Sequence, residues 1–100
     1  MTASARGTDS GVGSVTVRYW AAARAAAGVE CDVVAVDGET TLAVVLDAVR
    51  ARHADRPRVA EVLSVCSVLL GDRPVGTTDP AAVPVRAGET VELLPPFAGG

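Results

Sequence analysis

Few residues in this chain are equipped for chemistry. His53 is the single histidine, Cys31 and Cys66 are the two cysteines, and all nine basic residues are Arg. Without a second histidine, neither a zinc triad nor a Cys/His cluster can be assembled. Cys31 and Cys66 match no C-x-x-C or metal spacing, lack a basic sequence neighbour that would lower a thiol pKa, and read as small buried hydrophobes. His53 falls at the polar end of a helix and reads as a surface cation. Neither a Walker-type nor a G-x-G-x-x-G loop occurs. The absence of lysine removes a side-chain Schiff base and a side-chain acceptor for an isopeptide bond. What remains is the end of the chain, Gly99-Gly100, with its α-carboxylate. At an average glycine usage of about 7%, a terminal Gly-Gly is roughly a one-in-two-hundred coincidence.

That carboxylate is ionised at neutral pH and is a poor electrophile, so acyl transfer from it requires prior activation, typically as an acyl adenylate made from ATP by a second enzyme. The residues before it suit such a use. In Leu93-Leu94-Pro95-Pro96-Phe97-Ala98-Gly99-Gly100, the prolines hold an extended direction and reduce the entropy lost on docking. Gly99 and Gly100 have no Cβ, which allows close approach to a nucleotide and a nucleophile. Phe97 is the arm's large side chain and a candidate anchor in an apolar slot. From Pro95 to Gly100 the arm can span at most about 20 Å, enough to thread a narrow channel in a partner. Catalysis by this chain alone is not expected.

The body must position the arm. One hundred residues with 49% hydrophobic and 21% charged content describe one globular domain. Tyr19, Trp20 and Phe97 are the only aromatics, so the core is built from Val, Leu and Ala. A net charge of −3, with no basic stripe, argues against nucleic-acid binding and would suit a positively charged docking surface. No signal-peptide or membrane-spanning run occurs, which predicts a cytoplasmic protein with reduced thiols. Residues 1–14, rich in Ala, Ser, Gly and Thr, are expected to be a disordered leader, 15–94 the folded domain and 95–100 a flexible arm.

Within the body, Val15, Val17 and Tyr19 alternate with Thr16, Arg18 and Trp20, a strand pattern. Ala21–Ala27 reads as a short helix stopped by Gly28, and Cys31 to Val36 as a second strand turned by Asp37-Gly38. Leu42, Val45, Leu46 and Val49 form one apolar stripe of a helix running to about His53, capped by Thr40 or Thr41, with Pro57 closing the segment. A further short helix around Val59–Leu63, a strand Val65–Leu70, a short strand at Val75 and a last strand Thr90–Leu94 follow. Asp79–Pro84 reads as irregular. This order predicts an α+β fold with one main helix over one face of a mixed sheet.

The chain resembles the ubiquitin-like sulfur carriers of the MoaD/ThiS type, over roughly 15–100, and most of all those that serve molybdopterin synthase. The resemblance rests on Val17-Arg18-Tyr19-Trp20-Ala21-Ala22-Ala23-Arg24 with Ala27-Gly28, on the helix Leu42 to Arg52, on Leu70-Gly71-Asp72, and above all on Ala87-Gly88-Glu89-Thr90-Val91-Glu92-Leu93-Leu94-Pro95-Pro96-Phe97-Ala98-Gly99-Gly100. It implies a β-grasp fold, adenylation of Gly100 by an ATP-using, MoeB-like enzyme, and conversion to a thiocarboxylate with sulfur from a donor protein. It also implies insertion of the arm into a MoaE-like large subunit, where two such sulfurs turn a cyclic pyranopterin into the dithiolene of molybdopterin. No cofactor is implied to reside in the chain itself, and no membrane or nucleic-acid partner. Partner contacts are implied for Leu94, Pro95, Pro96, Phe97, Ala98 and Gly99, with a weaker extension to Leu70. Trp20 stands where Phe is common. A carrier for thiazole or cysteine synthesis, and a β-grasp interaction module or protein modifier, remain alternatives.

Overall fold

The computed structural model describes residues 12–96. Strand β1 (Val12–Tyr19) is followed by α1 (Ala21–Ala27), β2 (Cys31–Asp37), β3 (Glu39–Thr41), α2 (Leu42–Arg52) and α3 (Pro57–Leu63). Then come β4 (Ser67–Leu70), β5 (Arg73–Pro74), a 3₁₀ turn at Pro80–Ala82, β6 (Pro84–Arg86) and β7 (Thr90–Leu94). Five strands form one sheet in the order β2-β1-β7-β4-β5, and β3 pairs with β6 in a separate ribbon. The β1–β7 pair is parallel and every other pair is antiparallel, so the sheet is mixed.

Strand alternation sorts the two faces. Val15, Val17 and Tyr19 of β1, Val34 and Val36 of β2, Val91 and Leu93 of β7 and Leu70 of β4 are buried on one face. All three helices supply the other half of that core, through Ala23, Ala27, Leu42, Val45, Leu46, Val49, Val59, Val62 and Leu63. The main covering helix expected from the sequence is the longest of the three α-helices among the described residues, and the two short helices expected beside it are the others. Its stripe is buried as the spacing requires, and the Thr41 hydroxyl accepts from the Val44 amide at 3.3 Å as its N-cap. Pro57 does not merely close α2; it opens α3 at a position where its missing N–H costs nothing.

Three differences from the sequence reading share a cause. β1 begins at Val12 rather than Val15, because Val12, Gly13 and Ser14 pair through their backbones with Asp37, Val36 and Ala35 of β2. Residues 1–11 lie outside the described residues. Gly13 suits this stretch: a Cβ there would stand 2.8 Å from the Ala87 Cβ. β3 and β6, unrecognised in the sequence, form through the pairs Glu39↔Arg86, Thr40↔Val85 and Thr41↔Pro84. In each case backbone pairing between distant segments creates a strand that side-chain periodicity does not announce.

Candidate functional site: the arm and the sheet face beside it

β7 carries the C-terminal arm and lies between β1 and β4 in the middle of the sheet. Its buried Val91 and Leu93 are anchored in the core, at 0% and 1% exposure. Leu94 points to the opposite, helix-free face and is half-buried, with Ser67 of β4 directly across from it. Pro95 is half-buried and Pro96 exposed, so the backbone leaves the sheet at the end of its central strand. Phe97, Ala98, Gly99 and Gly100, assigned to the arm from the sequence, lie outside the described residues.

The face around the arm's root is built from outward residues of three neighbouring strands. Arg18 pairs with Glu92 in the parallel ladder, and Leu69 lies across from Glu92 on the other side. Trp20, one residue beyond the Tyr19↔Leu93 pair, is 40% exposed; its amide donates to the Leu93 carbonyl at 3.2 Å. Its indole Nε1–H donates to Glu92 Oε1 at 2.9 Å, and the Arg18 guanidinium lies 5.0 Å from the ring centroid. Leu70 is 7% exposed and belongs to the core face, which does not suit the partner contact implied for it; alternation puts half-buried Leu69 on the outward face instead.

A second constellation lies at the end of the core and corrects the reading of His53. That ring is buried, at 9% exposure, and its Nε2 is 2.6 Å from Asp32 Oδ2. The Tyr19 hydroxyl donates to the same oxygen at 2.7 Å, and Arg52 reaches Asp32 Oδ1 at 3.3 Å and the Val33 carbonyl at 2.9 Å. Because a carboxylate only accepts, the His53 proton facing it sits on Nε2. Tyr19 meets the imidazole edge-on, with centroids 6.0 Å apart.

Burial pushes the Asp32 carboxyl up, but hydrogen bonds from Tyr19, His53 and Arg52 outweigh it and hold the carboxyl below its ordinary value. Burial first, then the bond to Asp32, raises the Tyr19 phenol far above its usual range, so it stays protonated. Every polar atom named here has a partner, and the cluster reads as a clamp tying α2 to β1 and β2 rather than as a reactive centre. The sequence could not show it, since Asp32 and His53 are 21 positions apart.

The cysteines divide. Cys31 is exposed on β2, against expectation, because it falls on the outward phase of that strand. Cys66 is partly buried; burial raises its thiol, which donates to the Val62 carbonyl at 3.3 Å. Among the described residues, no three His, Cys, Asp or Glu are grouped to hold a metal ion, and no helix is long and apolar enough to cross a membrane.

The ThiS family model matches residues 17–100, from β1 through the Gly-Gly end. The chain belongs to the ThiS family. Solved structures with this fold include subunit 1 in the complex of subunits 1 and 2 of the molybdopterin-converting factor from Helicobacter pylori. It is 25% identical, with 87% of this chain and 99% of that chain covered and a TM-score of 0.55. The small archaeal modifier protein SAMP1 from Haloferax volcanii is also 25% identical, covering 88% and 100%, with a TM-score of 0.65. The HVO 2177 protein of the same organism is 27% identical, covering 95% and 93%, with a TM-score of 0.68. No curated protein matches the chain. Family membership and the mixed sheet establish a ubiquitin-like β-grasp fold of the MoaD/ThiS type.

Proposed function

We propose that this ThiS-family chain is a sulfur carrier whose working group is the Gly100 carboxylate, delivering sulfur to a pterin precursor within a molybdopterin synthase. The carrying observation is the family match that runs through Gly100, on a body whose central strand β7 leads directly into the arm. In this reading a carboxylate oxygen of Gly100 attacks the α-phosphorus of ATP on a MoeB-like enzyme and expels pyrophosphate. Sulfide-level sulfur from a donor protein then adds to the acyl carbon and AMP departs, leaving a thiocarboxylate. Delivery of that sulfur to the pterin returns the carboxylate, with water supplying the oxygen.

The partner in the last step would be a MoaE-like large subunit, which holds the catalytic side chains. Leu94, Pro95, Pro96, Phe97, Ala98 and Gly99 would enter its channel. Trp20 and Leu69 would rest beside the channel mouth. The Leu-Pro-Pro approach to Gly-Gly and the complex formed by the H. pylori relative favour this pathway over thiazole or cysteine synthesis. The likeness to an archaeal modifier protein favours one alternative, transfer of Gly100 to an amine of another protein.

Intact mass spectrometry separates the two. The full chain is incubated with ATP, a sulfur source and the activating enzyme. A species heavier by the difference between sulfur and oxygen is expected, and it should revert after delivery. Stable adducts to other proteins, with no sulfur-bearing species, would instead support the modifier. Deleting Gly100 should abolish the mass shift while leaving the melting temperature unchanged.

A further inference from the structure

Trp20 presents an unusual arrangement for a half-exposed aromatic ring. An exposed indole normally samples several rotamers and keeps its N–H hydrated. Here the N–H is already bonded to Glu92 at 2.9 Å, and one side of the ring carries the Arg18 guanidinium at 5.0 Å. Glu92 is half-buried in the middle of the sheet, between Arg18 on β1 and Leu69 on β4, so its backbone and first carbons are fixed by the ladders on both sides. The donor and acceptor are 72 positions apart, and the bond therefore also joins the end of β1 to the strand that launches the arm.

We infer that Glu92, with Arg18, is a positioning residue that holds the Trp20 indole in one orientation before the partner arrives. The inference rests on the proposed docking of this face and adds what sets its geometry. Two consequences follow from the chemistry. Ordering a free aromatic side chain at an interface opposes binding, and a ring already held avoids that loss. The indole has a single donor, and Glu92 occupies it, so Trp20 offers the partner apolar ring surface and no unmet hydrogen bond. The matching slot on the large subunit should therefore be apolar and should need no acceptor for the indole.

Trp20 is the chain's only tryptophan, so its fluorescence reports this residue alone. The test compares wild type, E92A, E92Q and L94A as full chains. Steady-state anisotropy of Trp20 and hydrogen exchange of its Nε1–H are read first in the free protein. E92A should lower the anisotropy and speed the exchange, and E92Q, whose amide oxygen still accepts, should restore both. Affinity for a MoaE-like large subunit, purified as the partner, is read second. E92A should weaken it roughly two- to tenfold, with E92Q close to wild type.

Unchanged anisotropy and exchange in E92A would overturn the inference whatever the partner does. So would unchanged affinity in E92A while L94A weakens binding. If wild type shows no affinity for that subunit, the docking reading fails. The free-protein measurements still decide whether Glu92 holds the ring.

Discussion

Replacing Asp32 with Ala tests whether the buried clamp contributes as its geometry requires. The substitution removes the acceptor for the Tyr19 hydroxyl and for His53 Nε2, whose residues are 3% and 9% exposed. Each donor left buried without a partner costs about 1–3 kcal/mol, so the pair should lose about 2–6 kcal/mol. Arg52 adds little, since its side chain is 44% exposed and water can take the place of the carboxylate. For a domain of this size each kcal/mol lowers the melting temperature by roughly 4–8 °C, so a fall of at least about 8 °C is expected.

Thermal and urea denaturation followed by circular dichroism at neutral pH would measure it, with D47A as the control. Asp47 makes an exposed ion pair to Arg50 at 2.9 Å and should contribute less than about 1 kcal/mol. The pH dependence adds an independent check. Asp32 titrates in the folded state below its ordinary value of 3.8, so the unfolded chain binds the proton more readily. Its stabilisation is present above that value and is lost as pH falls through the folded value. Wild type and D32A should therefore converge in stability in strong acid. A D32A loss no larger than that of D47A, or a gap that persists unchanged at the lowest pH, would refute the reasoning.

Two further outcomes follow from local geometry. G13A should destabilise by about 1–3 kcal/mol in urea denaturation, because its new methyl lands 2.8 Å from the Ala87 Cβ; adding A87G should recover part of the loss. Iodoacetamide should alkylate exposed Cys31 before Cys66, whose thiol is part-buried and raised by that burial, as read by peptide mass spectrometry over time.

The parts of this fold legible in the sequence are those in which side chains repeat with the period of their own element. The α2 stripe and the alternation of Val15, Val17 and Tyr19 are of this kind, and so is the phase that sends Val91 and Leu93 inward and Leu94 outward. What stayed hidden depends on pairs far apart in the chain. β3 exists because β6 lies beside it, and the Glu39–Arg86 ion pair across that ribbon spans 47 positions. His53 reads as a surface cation until β2 brings Asp32 under it. At the candidate site, the Gly-Gly end and its prolines were visible as sequence, whereas the bond between Trp20 and Glu92 required the parallel β1–β7 pair.

The placement of β7 has a mechanical consequence. A partner that grips the tail and draws it into a channel pulls along the strand axis, and β7 is bonded to a neighbour on each side. Hydrogen bonds lying across the direction of pull are loaded in shear and must fail together, whereas a terminal strand at a sheet's edge could be peeled away bond by bond. Under such a pull, tension at Pro95 would pass into the centre of the sheet instead of peeling away an edge strand.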